Sequence, residues 1–156
     1  MSDPVRVQLH LLDPDMPVPT YARPGDAGAD LAVATDITLA PGERAVVGTG
    51  LAIGLPAGYA AFVHPRSGLA ARHGLTMVNA PGTIDAGYRG EIRLTLLNTD
   101  LTQPIVLRRG DRVAQLVVQR VETVTFEQVD ALEPSDRGAR GFGSTGGWGA
   151  SPPDAD

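Results

Sequence analysis

Cysteine and lysine are both absent from the 156 residues, and aromatic side chains make up only 4% of them. Without cysteine, disulfide frameworks, thiolate nucleophiles and sulfur-ligated zinc are excluded, and redox chemistry fixes no compartment. No apolar run approaches the roughly 20 residues that a membrane span needs. Met1 to His10 carries Asp3, Arg6 and His10 in place of an apolar leader core, so a cytoplasmic protein with no membrane partner is expected. A formal net charge of −5 argues against a nucleic-acid partner, because phosphate-backbone binding draws its affinity from clustered basic residues. Phosphate recognition, if present, must be local. All 13 basic residues are arginine; coding composition accounts for that bias, yet in a glycine-rich loop the planar donor fork of arginine suits phosphate oxygens.

What the chain has in abundance is punctuation. Nineteen glycines and 13 prolines separate runs of four to eight residues rich in Val, Ile, Leu and Thr, the pattern of many short strands. Strands are expected at Val5–Leu12, Glu43–Ile53, Tyr59–His64, Leu75–Val78, Glu91–Asn98, Ile105–Leu107 and Arg112–Val124, with a brief helix at Leu69–His73. Seven or more strands without intervening helices point to an all-β sandwich, jelly roll or closed barrel and away from a βαβ sheet. From about Pro134 the composition shifts to Gly, Ser, Arg and Pro, with little apolar beyond Phe142 and Trp148. Residues 1–133 therefore read as the core and residues 134–156 as a flexible glycine-rich arm that cannot build a core alone.

Four loops concentrate residues that a strand-and-turn scaffold does not need. In Asp26-Ala27-Gly28-Ala29-Asp30-Leu31 two carboxylates flank a small turn, suited either to magnesium, directly or through its waters, or to capping the turn. In His64-Pro65-Arg66-Ser67-Gly68-Leu69-Ala70 a strand end runs into a short helix with Ser67 expected as its N-cap, an arrangement that binds anions or simply starts a helix. The loop from Asn79 to Gly90 is too elaborate for a simple turn. Its Asn79 offers an amide for a base edge, Asp85 a carboxylate, and Tyr88 a flat face; alternatively, Asp85 forms an Asx turn before Gly87. Near the end, Arg137 to Gly147 sets two arginines, Phe142 and two hydroxyls among glycines, a composition for phosphate contact and base stacking that a plain linker does not explain. Together these describe a nucleoside triphosphate site, and neither a P-loop nor a dinucleotide-binding fingerprint is present.

In five ordered segments, Asp26–Leu31, Pro65–Ala70, Gly82–Ile92, Arg109–Leu116 and Arg137–Gly146, the chain resembles the trimeric deoxyuridine triphosphate nucleotidohydrolases, the dUTPases. The resemblance implies a distorted jelly roll, or β-clip-like barrel, in a homotrimer with shared active sites closed by the C-terminal arm. It implies hydrolysis of dUTP to dUMP and pyrophosphate, removing dUTP from the nucleotide pool and supplying dUMP, with Asp85 as general base for water attacking the α-phosphorus. Magnesium would be chelated by the triphosphate and reach Asp30 through water. Ser67 and Gln115 would hold α-phosphate oxygens, while Arg66, Gly68 and Arg137 face the outer phosphates. Asn79, Thr83 and Ile84 belong to the hairpin that would read uracil, Tyr88 would pack beneath the deoxyribose, and Arg93 resembles a further substrate contact. Phe142, Gly143 and Ser144 would complete the closing segment. One departure is Arg140, which stands where the family usually has glycine; Arg137, five residues before Phe142, is the better match to the phosphate-contacting arginine.

Three rivals can be set against this. Deoxycytidine triphosphate deaminase shares the fold but needs a proton-shuttling glutamate where Thr95 stands, and it lacks the segment around Phe142. A noncatalytic nucleotide-binding module gains nothing from Asp85 beside phosphate charge. A carbohydrate-binding jelly roll would present more exposed aromatics than this chain has.

Overall fold

Along Glu91–Asn98 the side chains of Ile92, Leu94, Leu96 and Asn98 are buried while Arg93 is exposed, the period of two that commits a strand to one packed face. A computed structural model describes residues 4–139. Its strands are β1 Gln8–Leu11, β2 Ala29–Ala32, β3 Ile37–Leu39, β4 Arg44–Gly54, β5 Tyr59–Pro65, β6 Leu75–Met77, β7 Gly82–Ile84, β8 Glu91–Asn98, β9 Ile105–Leu107 and β10 Arg112–Arg120, with one helix, α1, at Ser67–His73. Two four-stranded sheets run in the orders β1-β4-β8-β6 and β2-β10-β5-β7, and β3 pairs with β9. The paired strands are antiparallel, and every step along the chain changes sheet, so no strand pairs with its neighbour in sequence. This is the all-β, jelly-roll-like architecture expected.

The core lies between the sheets. Val47, Leu51, Ile53, Leu94 and Leu96 of the first face Leu31, Ala61, Val63, Ala114 and Leu116 of the second, with Leu39 and Leu107 from the small sheet. Asn98, fully buried, donates its amide to the carbonyls of Leu39 and Gln103 at 3.1 and 2.9 Å and so ties β8 to the small sheet without leaving a polar atom unsatisfied.

Several boundaries differ from expectation. β2, β3 and β7 were not anticipated; they are three or four residues long, and β2 and β7 contain Gly or Ala, whose strand propensity is low, so cross-strand pairing supplies what propensity does not. β10 ends at Arg120 instead of Val124, because the exposed Val121 keeps only a main-chain bond to Gly58. Ser67 is not the N-cap: Arg66, extended at φ −81 and ψ 123, holds that position without a side-chain cap bond, and Ser67 is already helical. Leaving Pro65, the strand conformation persists through Arg66 and the helix starts one residue further on. Gly74, left-handed at φ 66, closes the helix by donating its N–H to Ala70.

The chain divides into two compact units, Met1–Thr123 and Val124–Asp156. In the second, the described residues contain turns and no strand. Among the described residues no helix is long and apolar enough to cross a membrane.

Candidate active site

Within the first unit the expected site residues gather in two separate places. One is a cavity of about 200 Å³ built on β7, β8 and the loop between them, which is not the expected hairpin because β7 and β8 pair in different sheets. Asn79, Thr83, Ile84, Asp85, Tyr88 and Arg93 all line it, with Met77 and Ile92 supplying apolar wall. The amide nitrogen of Asn79 lies 3.3 Å from where a Gly82 Cβ would stand, so glycine there lets the amide lie flat over β7.

The loop is braced on its own backbone. Tyr88 donates its N–H to the Asp85 carbonyl at 3.0 Å and its hydroxyl to the Glu91 carbonyl at 3.0 Å. Arg89 donates to the carbonyls of Ala86 and Tyr88 at 2.6 and 2.7 Å. An Asx turn at Asp85 is therefore not what closes the loop: its main chain does. The exposed Asp85 carboxylate accepts no hydrogen bond among the described residues, and it stands open at the cavity rim.

The second place is a smaller pocket of about 160 Å³ where α1 meets β10, lined by Arg66, Ser67, Gly68, Arg72 and Gln115. Behind it lies Asp30, whose side chain is 4% exposed. Arg112 donates to its Oδ2 at 2.9 Å, the Arg66 Nε stands 3.4 Å from its Oδ1, and the Gln115 amide nitrogen is also 3.4 Å from Oδ1. Arg66 donates onward to the Arg112 carbonyl at 3.1 Å. Two guanidiniums thus neutralise a carboxylate that could not stay ionised and buried alone. Gln115 is held from the other side as well, its Cβ lying 3.0 Å from where a Gly28 Cβ would stand.

The two carboxylates of the first loop divide the readings between them. Asp26 is a turn cap, accepting the Arg23 N–H at 2.8 Å; Asp30 is the one at the pocket. Among the described residues no three His, Asp or Glu side chains converge as a metal cage.

Of the remaining expected residues, Arg137 lies in a turn of the second unit, whereas Phe142, Gly143, Ser144 and the unmatched Arg140 fall outside the described residues. Three contributors escaped the sequence reading. Arg112 is 82 residues from Asp30, and no local pattern links them. Arg72 reaches back over Gly68, and its position one helical turn further on was a usable signal. Glu91 lines the larger cavity and carried no signal beyond its strand.

Charged groups behind the motif from Arg109 to Leu116 form a further cluster. Arg109 pairs with Asp13 and donates to the Ala34 carbonyl at 3.0 Å, while the Arg109 N–H and the Arg108 guanidinium both donate to Asp36. The Arg109 side chain holds the Asp13 carboxyl below its ordinary range, and the Arg109 N–H, then Arg108, does the same for Asp36.

The dUTPase family model matches residues 15–146. The chain is 70% identical over 146 residues to the deoxyuridine 5'-triphosphate nucleotidohydrolase of Thermobifida fusca (strain YX), covering 94% of this chain and 82% of that one. To the protein of the same name from Rhodococcus erythropolis (strain PR4 / NBRC 100887) it is 58% identical over 147 residues, covering 94% and 90%. Among solved structures, the Staphylococcus bacteriophage 80alpha dUTPase with dUPNHPP superposes with a TM-score of 0.83 at 30% identity, covering 90% of this chain and 98% of that one. A mutant dUTPase from phage phi11 of S. aureus, described as revealing the coordination of a structural Mg(II) ion, gives 0.75 at 28% identity, covering 83% and 99%. The chain belongs to the dUTPase family, the deoxyuridine triphosphate nucleotidohydrolases.

Proposed function

We propose that the chain hydrolyses dUTP to dUMP and pyrophosphate, with Asp85 as the general base that orients and deprotonates a water attacking the α-phosphorus. The observation that carries this reading is the Asp85 carboxylate: the main chain closes its turn, so the carboxylate is left open in a cavity with an amide and an aromatic face. A general base has to be within one hydrogen bond of the water it activates, and a carboxylate tied into an Asx turn could not be. Asn79, Thr83 and Ile84 read the uracil edge, and Tyr88 packs under the deoxyribose where a 2′-hydroxyl would clash. Rejection of cytosine, thymine and ribose then follows from unpaired polar groups and overlap in a small pocket. Arg93 is a further substrate contact at the same cavity.

Ser67 and Gln115 hold α-phosphate oxygens, and Arg66 and Gly68 face the outer phosphates. When bound, magnesium carried by the triphosphate offsets charge on the leaving pyrophosphate. Asp30 keeps Arg66 and Arg112 in place and would reach the metal through water. A homotrimer whose active sites are shared between subunits belongs to the same reading, as the resemblance to the trimeric dUTPases implies. Arg137, Phe142, Gly143 and Ser144 of the arm, residues 134–156, serve the closed site.

Pyrophosphate release measured in parallel with dUTP, dCTP, dTTP and UTP, with and without magnesium, tests the proposal. Magnesium-dependent release from dUTP alone is expected. Release from all four nucleotides, or from none, overturns it.

A further inference from the structure

β4 and β8 run in register from Arg44 opposite Leu97 to Gly48 opposite Arg93, and the pairing resumes only at Ala52 opposite Glu91. Thr49, Gly50 and Leu51 are therefore spanned by the single residue Ile92. Such a bulge leaves backbone groups without ladder partners, and buried ones must find others. Fully buried Thr49 donates its hydroxyl to the Ile92 carbonyl at 2.7 Å. The Gly50 N–H is taken up by a side chain: Glu91 Oε1 accepts it at 2.9 Å. Gly50 itself is left-handed, and a Cβ on Gly48 would stand 2.3 Å from the same carboxylate oxygen. Glycine occurs both where the backbone must turn and where the carboxylate must enter.

Glu91 also closes the β7–β8 loop on its other side. Its carbonyl accepts the Tyr88 hydroxyl at 3.0 Å, and a Cβ on Gly90 would lie 2.4 Å from that hydroxyl, so the ring rests on bare backbone. One residue is thus fixed in the β4 bulge by its side chain and carries the Tyr88 ring on its main chain. It lines the cavity that holds Asp85 and Asn79.

We propose that Glu91 is a positioning residue that governs discrimination between deoxyribo- and ribonucleotides: locked into the Gly48–Gly50 bulge, it sets where the Tyr88 ring stands under the sugar. This rests on the reading of the cavity as the nucleoside pocket of a dUTP-hydrolysing enzyme. Exclusion of a hydroxyl by shape depends on small displacements, and among the described residues the Tyr88 hydroxyl is held by the Glu91 carbonyl alone. The bulge requires an acceptor and not a charge, so an amide oxygen in the same place serves.

The test compares the full-length protein with Glu91→Ala, Glu91→Gln and Gly48→Ala, measuring kcat and KM for dUTP and UTP with magnesium, together with melting temperature. The ratio of kcat/KM for dUTP over UTP is expected to fall about tenfold in Glu91→Ala and Gly48→Ala and to recover to within about threefold of the parent in Glu91→Gln. Lower melting temperatures with an unchanged ratio make Glu91 a structural residue only and overturn the proposal, as does a glutamine variant no better than alanine. Should the alanine variants fail to fold, Tyr88→Phe removes only the hydroxyl donor; an unaltered ratio there also overturns it. A parent protein that leaves dUTP intact refutes the underlying function as well, whereas a selective parent with equally selective variants refutes the role of Glu91 alone.

Discussion

Around Asp85 the chain is held by main-chain acceptors close in sequence: Tyr88 to Asp85, Tyr88 to Glu91, Arg89 to Ala86, each spanning three residues. Around Asp30 the acceptor is a buried carboxylate and the partners are remote, with two guanidiniums, Arg66 from the N-cap of α1 and Arg112 from β10, brought to it. The cavity proposed for the nucleoside thus has its shape set largely within the β7–β8 loop, and its carboxylate is free. The pocket proposed for phosphate has its shape set by compensated charge, and its carboxylate is tied to Arg66 and Arg112. The same residue type therefore serves opposite ends, and perturbing each should separate catalysis from stability.

The largest effect is expected from Asp85→Asn. With no partner lost, its melting temperature should match the parent, while kcat for dUTP falls by about 10²–10⁴ and affinity for a non-hydrolysable analogue is retained. Parallel stopped-flow and binding measurements check this; full activity would remove Asp85 from the mechanism. Asp30→Asn should do the reverse in kind. It leaves two guanidiniums without their counter-charge, and because both still reach solvent the stability loss should be about 1–3 kcal/mol, read by urea denaturation, with weaker binding of the triphosphate. An Asp30 variant as stable as the parent would erase the contrast drawn here.

A smaller effect is expected from Gly28→Ala, whose added methyl would meet Gln115 at 3.0 Å. It should cost about 1 kcal/mol and raise KM for dUTP without altering the preference for dUTP over UTP, since it displaces the phosphate side alone. The smallest concerns pH. Asp13 and Asp36 have folded-state pKa values depressed by Arg109 and Arg108, so the stability they contribute is present above the unfolded carboxylate value of about 3.9 and is lost as pH falls below it through the depressed values. Melting curves between about pH 5 and pH 3 should show a shallower acid loss in the Asp13→Asn, Asp36→Asn double variant than in the parent.

How much of this was legible depended on distance along the chain. Alternation in Glu91–Asn98 and the apolar runs at Arg44–Gly54 and Tyr59–Pro65 announced long strands, because period and propensity agree there. The four buried residues Ala29–Ala32 looked like loop, since Gly28 and small side chains carry no strand preference of their own and β10 imposes the conformation. For the candidate site, Asp85 and its loop were readable because the loop is local, although its two strands pair in different sheets and not as the expected hairpin. The arginine pair on Asp30 was not, because Arg112 is opposite Ala32 only by virtue of pairing across most of the chain. Glu91 was missed for a related reason: its side chain matters through an irregularity in a partner strand 41 residues away.

The strand order bears on how the molecule comes into being. Because each strand leaves the sheet of its predecessor, no stretch of nascent polypeptide can form even one hairpin ladder with what was synthesised immediately before it. β2 is paired by β10, the last strand made, so although β5 and β7 can pair earlier, the sheet carrying the proposed phosphate pocket is complete only once Arg120 has emerged. Such non-local closure slows folding and leaves strand edges bare in the interim. The cavity lined by residues 63–93 is therefore encoded before the pocket that Gln115 completes.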